Sequence, residues 1–275
     1  MIRRLVYHCF WNFYDYLGTY SISGVALTAL YLIAAEVCVW IFPGNPIFAA
    51  LAFALPALAV SAAGVSLLVP FAAKAARGEP ARYPDLIAGI RTQLVTALKF
   101  ILVYFGFAAI LAGNIAFYFL MGRRHAGSAT GMIATSLGAA LIWVFLAWWI
   151  AGFPAASCCD GVVRLTFRQW FRKSILLLAL APGVWISAAF MLALVIVLGA
   201  LSRVGIVFIL PCFACFSCTA AWIVGQHAEL LDEARNQIGA GKKVGEYRRM
   251  AQQLGFEWEM RQPRRTFREL IKPWE

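Results

Sequence analysis

Six apolar runs, each long enough to cross a bilayer as a helix, occupy most of this chain and leave few folds open to it. A hydrocarbon core about 30 Å thick takes about 20 helical residues. The runs cover about 20–42, 47–70, 100–121, 132–154, 174–198 and 204–225. They are continuous, whereas a barrel strand alternates over about ten residues. In hydrocarbon only helices and closed barrels satisfy the backbone, so helices are expected here. With 62% hydrophobic and 13% charged residues, the composition is unlike that of a soluble domain. The expected fold is all-α: a polytopic integral membrane protein, a bundle of six transmembrane helices with amphipathic cytoplasmic elbows.

The basic residues divide sharply between the two sides of that bundle. Of 24 Lys and Arg, 21 fall in the N-terminus, in 74–99, in 164–173 or after 228. Only Arg123, Arg124 and Arg203 occupy the other connections. This is the positive-inside pattern, and it places both termini and both basic elbows on the cytoplasmic side of the membrane. The net charge of +11 is then a membrane feature and gives no reason to expect nucleic acid. The seven Cys are odd in number and lie in spans or on the basic side, so no disulfide framework is implied.

Three parts are expected. Residues 1–18 read as an interfacial amphipathic helix, with Ile2, Leu5, Val6, Cys9, Phe10, Phe13 and Leu17 at helical spacing behind Arg3 and Arg4. His8, Asn12 and Asp15 interrupt them, which argues against a cleavable signal. Residues 19–228 form the six-helix domain. Residues 229–275 form a charged cytoplasmic tail with ten bases and eight acids. In the tail, 227–238 and 246–254 are expected helical. Thr266-Phe267-Arg268-Glu269 reads as a capping box before a short final helix. Part of the first elbow, 83–99, also has helical spacing at Leu86, Ile90, Leu94 and Leu98.

Few residues could carry chemistry. Glu36 is the only acid well inside a span, and an intramembrane acid is by default a functional hypothesis. About 1.5 Å per residue puts it roughly 24 Å along its span. Asn114 in the third span lies at a similar depth, so the two could share a hydrogen bond and a polar site. The alternative is that Glu36 reaches water or Asn114 and simply holds spans together. Cys212, Cys215 and Cys218 repeat every third residue, but cluster ligation normally takes four thiolates in a loop. They read as small apolar residues, and Cys158-Cys159 as incidental. Gly106, Ala109, Gly113 and Ala116 form a small-residue seam expected to pack against another helix. Trp148 and Trp149 are expected among the interfacial anchors. No catalytic, metal or cofactor constellation is visible, so no enzyme and no cofactor is expected.

The stretch Pro70-Phe71-Ala72-Ala73-Lys74-Ala75-Ala76-Arg77-Gly78-Glu79-Pro80, followed by Tyr83, Asp85, Gly89 and Arg91, resembles the first cytoplasmic elbow of the YesL-like family. These are bacterial integral membrane proteins of undefined function, and the similarity in segment order extends over about 10–228. The resemblance implies a protein of the bacterial cytoplasmic membrane and an association with sugar uptake. The long charged tail departs from the family. With the tail and elbows on the inside and few polar residues within the spans, the expected function is an accessory or regulatory subunit acting by protein contact. Its partners would be the bilayer and a membrane transporter or signalling subunit. The alternative is a small permease with its polar site at Glu36 and Asn114.

Overall fold

The computed structural model describes residues 1–160, 166–202 and 205–238. Among them are eight α-helices and no strand. They are α1 (Ile2–Asp15), α2 (Leu17–Ile41), α3 (Pro46–Ala76), α4 (Tyr83–Arg124), α5 (Ala129–Ser157), α6 (Phe167–Leu180), α7 (Pro182–Ser202) and α8 (Ile209–Ile238). A 3-10 turn, Gly205–Phe208, precedes α8. Six helices are long and apolar enough to span a membrane: α2, α3, α4, α5, α7, and α8 together with its 3-10 turn. The chain is a multi-pass, all-α membrane protein. It divides into two compact units, Met1–Trp222 and Ile223–Glu275. Of the second, only the distal part of α8 is described. The expected helices at 246–254 and 266–275, and 161–165 of the second elbow, lie outside the described residues.

Many of the buried side chains of α3 and α8 in the first unit are small, alongside large ones such as Phe71 and Leu68. On α3, Ser61, Ala62, Ser66, Val69, Ala72 and Ala73 are buried. On α8, Cys212, Ala214, Cys215, Ser217, Cys218, Thr219 and Ala220 are buried. Small residues let helix backbones approach, which is how membrane helices gain van der Waals contact without a hydrophobic driving force. Gly89 shows how close the α3–α4 hairpin comes: a Cβ there would lie 2.4 Å from the Ser66 carbonyl oxygen. The elbow closing this hairpin is held by polar bonds. Lys74 Nζ meets Asp85 Oδ1 at 2.7 Å, and the Arg82 amide donates to Asp85 Oδ2 at 2.8 Å. The Lys74 hydrogen bond, then that of the Arg82 amide, holds the Asp85 carboxyl below the usual carboxylate range.

Several boundaries differ from the sequence reading. The elbow segment 83–99 and the third span are one helix, α4, of 42 residues. At about 1.5 Å per residue it is roughly 63 Å long, about twice the hydrocarbon thickness. The helices expected to stop at Pro70 and Pro154 run on to Ala76 and Ser157. The expected fifth span, 174–198, is instead broken at Ala181 between α6 and α7. Pro182 has no amide hydrogen to donate and opens a new helix there. The buried Trp185 indole then donates to the Leu177 carbonyl at 2.8 Å, partnering an oxygen near the end of α6.

The turn between α7 and α8 also sits where no spacing foretold. A Cβ on Gly24, only seven residues into α2, would lie 2.2 Å from the Val207 carbonyl oxygen. The turn thus packs against the first third of α2, far along that helix from the α2–α3 connection at 42–45. Helix α1 is docked on the bundle as well as amphipathic. Leu5 and Cys9 are buried, Asn12 Nδ2 donates to Thr219 Oγ1 at 3.2 Å, and Cys215 Sγ approaches the Cys9 carbonyl at 3.8 Å. Ile2, Val6 and Phe10, four residues apart, remain exposed on its other side.

Candidate functional site

A cavity of about 350 Å³ lies where α2, α3, α4, α5, α7 and α8 converge. Leu27 and Tyr31 of α2 face Ser61 and Val65 of α3, and Phe100 and Tyr104 of α4. Leu192, Leu210 and Phe213 complete the wall from α7 and α8. The 3-10 turn contributes Ile206 and Val207, brought in by the close approach at Gly24. Three lining residues, Leu32, Phe105 and Ile206, are 66%, 47% and 50% exposed, so the cavity opens to the surface between apolar side chains.

The polar groups on its wall are few, and most are already engaged. Ser61 Oγ donates to the Ala57 carbonyl at 2.8 Å, so its one proton is committed and the Tyr31 hydroxyl must donate to Ser61. Tyr104 donates to the Trp149 carbonyl at 3.2 Å. The Tyr104 ring is held in place by stacking on Phe100 at 5.4 Å and on Trp148 at 5.7 Å. Trp148 in turn donates to the Tyr104 carbonyl at 3.0 Å. Trp148, expected as an interfacial anchor, therefore serves as a packing residue between α4 and α5. Among the described residues no Asp, Glu, His, Lys, Arg or Cys lines the cavity. Its chemistry suits an apolar molecule, or part of one, with a few hydrogen bonds at most to groups such as the Thr28 hydroxyl.

Neither sequence-nominated site residue belongs to this cavity. Glu36 is exposed on α2 and has no hydrogen-bond or ion-pair partner among the described residues. Asn114 is exposed on α4, and its Nδ2 donates to the Ile110 carbonyl of its own helix at 2.8 Å. The two do not share a hydrogen bond. Equal depth counted along two helices does not make two side chains face each other, and here both point outward. The small-residue seam is corrected in the same way. Gly106, Ala109, Gly113 and Ala116 are all exposed, and a Cβ on Gly106 or Gly113 would meet nothing within 4 Å.

The cysteines behave as compact packing residues. All seven are free and buried. Cys218 Sγ approaches the Val69 carbonyl at 3.4 Å, a backbone contact that a larger side chain would prevent. At the end of α5, burial above all, with Cys158 and Asp160 beside it, pushes the Cys159 thiol up to about 12. A thiol held protonated is a poor nucleophile and a poor ligand. Among the described residues no group of three or more His, Cys, Asp or Glu is arranged to hold a metal ion. Comparison of the chain with protein-family models, with curated proteins and with solved structures gives no match.

Proposed function

We propose that this protein is an accessory subunit of the bacterial cytoplasmic membrane that acts by lateral contact with another membrane protein. Its partner is a solute-uptake or signalling component. The observation that carries this reading is Glu36, an exposed acid without a partner among the described residues, on a helix that carries no other charge. A charged group at the centre of a spanning helix costs about 2.5–3.5 kcal/mol on insertion scales, and an acid nearer the end of its span, as Glu36 is, costs less but still needs a polar neighbour or water. A polar or basic group on a neighbouring protein removes that cost. The exposed seam of Gly106, Ala109, Gly113 and Ala116 supports the same reading, because such seams admit a second helix closely. The distribution of basic residues supports cytoplasmic termini, and the YesL-like resemblance supports a sugar-uptake system as the partner's setting. The permease reading needed Glu36 and Asn114 to face a common site, and their outward placement gives it no support.

The test is purification from the native host in mild detergent, followed by mass spectrometry of what accompanies the chain. A stoichiometric membrane protein is expected with the wild type and is expected to be lost with Glu36→Leu. A lone protein, or a partner retained undiminished by Glu36→Leu, overturns the proposal.

A further inference from the structure

Where α4, α5 and α6 meet, two small hollows share the indole of Trp170. The first, about 90 Å³, is walled by Thr96 and Lys99 of α4, by Thr166 at the start of α6, and by aromatic rings. That is several times the roughly 10–15 Å³ that admits a single water. The second, about 50 Å³, is apolar and lies between Val103, Trp148, Ile175 and Leu178. Among the described residues no acid lines either one. Lys99 is exposed and has no carboxylate or hydrogen-bond partner among the described residues. Arg168 and Arg172, one turn apart on α6, line an adjoining depression that shares Phe171 and Ile175 with the apolar hollow.

The position of the pair along α4 gives it meaning. Lys99 is the last charge before the uncharged run 100–122, so the polar hollow lies where that helix changes from charged to apolar. The apolar hollow begins one turn further on, at Val103. Trp170, which divides them, is fixed: its indole donates to the Ala155 carbonyl at 3.0 Å, and its ring lies 6.0 Å from Phe100. We infer that this surface binds one anionic phospholipid. Lys99 and Thr96 hold the phosphate, the Thr166 hydroxyl being already engaged with Gln169 Oε1 at 3.0 Å, and an acyl chain starts into the cleft beyond Trp170. The apolar hollow takes only the first methylenes, and the rest of the chain lies over the exposed faces of Phe171 and Ile175. Unpaired cations around a site without acids select an anion, and basic pockets between membrane helices bind anionic headgroups. A free phosphate would use only the first hollow, so the second commits the site to a lipid.

The experiment is native mass spectrometry of the full chain in detergent, titrated with dioleoyl-phosphatidylglycerol, dioleoyl-phosphatidylcholine or sn-glycerol 3-phosphate. One saturable phosphatidylglycerol adduct is expected, at least roughly fivefold tighter than phosphatidylcholine. That is the weight of about one basic residue near a membrane surface. Lys99→Gln is expected to remove the preference and Lys99→Arg to keep it. Arg123→Gln, which changes net charge equally at a distant turn, is expected to leave it intact. Val103→Trp, which fills the apolar hollow, is expected to weaken the lipid adduct. Equal binding of the two lipids, or a preference unmoved by Lys99→Gln, overturns the inference. So does glycerol phosphate binding as tightly as the lipid, which would make this a soluble phosphoester site.

Discussion

At Gly89 a hydrogen occupies a place where a methyl group would lie 2.4 Å from the Ser66 carbonyl oxygen. The obstacle is backbone, so it cannot turn aside as a side-chain tip can, and α3 and α4 would have to part. Gly89→Ala is expected to destabilise the protein by about 1–3 kcal/mol, the usual cost of overpacking. Gly106→Ala, seventeen residues along the same helix, has open space around the new methyl. It is expected to be neutral, or stabilising by up to about 1 kcal/mol from helix propensity. Thermal unfolding of both variants in one detergent checks the contrast, and equal melting temperatures would show that the α3–α4 approach is not as tight as drawn. At this scale the sequence is legible only in part. It offers the small residues but not which face of the helix they occupy relative to neighbours. The same gap explains Glu36 and Asn114: an ionisable residue in a span is visible in the sequence, while its partner depends on how that helix is turned.

Elements were legible wherever their cause is local. Apolar runs of about 20 residues identify spanning helices without reference to anything else; five of the six runs correspond to one span each, and the fifth, 174–198, is divided between α6 and the spanning helix α7. The break between α6 and α7 also has a local signal, since Pro182 is in the sequence, but a proline in a span more often bends a helix than ends it. What separates a bend from a break here is a tertiary partner, the Trp185 indole on the Leu177 carbonyl. Trp185→Phe keeps the ring and removes the donor, leaving that carbonyl unsatisfied among apolar groups. A loss of about 1–3 kcal/mol is expected, and Trp185→His, which retains a ring N–H, is expected to lose less. Both are read by thermal unfolding; a Phe variant as stable as the wild type would mean the break needs only the proline. The central cavity had no local signal at all. Its walls come from six helices and depend on the 3-10 turn reaching Gly24, so no window of sequence contains it.

For the whole molecule, the unequal distribution of basic residues bears on how the chain sits in its membrane. Lys74, Arg77 and Arg82 cluster at the α3–α4 elbow, while the α4–α5 turn carries Arg123 and Arg124 and no other cation. The positive-inside rule predicts that the richer side faces the cytoplasm. The native thiols make this testable with little background, because all seven are buried. A single cysteine introduced by Pro80→Cys or Ala126→Cys is exposed in its turn and reports its own side of the membrane. With a membrane-impermeant maleimide added to intact spheroplasts, Ala126→Cys is expected to label and Pro80→Cys to stay unlabelled until the cells are lysed. The reverse pattern would place the basic elbow outside. It would remove Lys99 from the anionic leaflet surface assumed for the lipid site, and would put the partner's contact with Glu36 nearer the cytoplasmic face. Labelling at both positions would mean that α4 does not cross. The long apolar half of α4 would then have to be covered by protein, which its exposed seam contradicts.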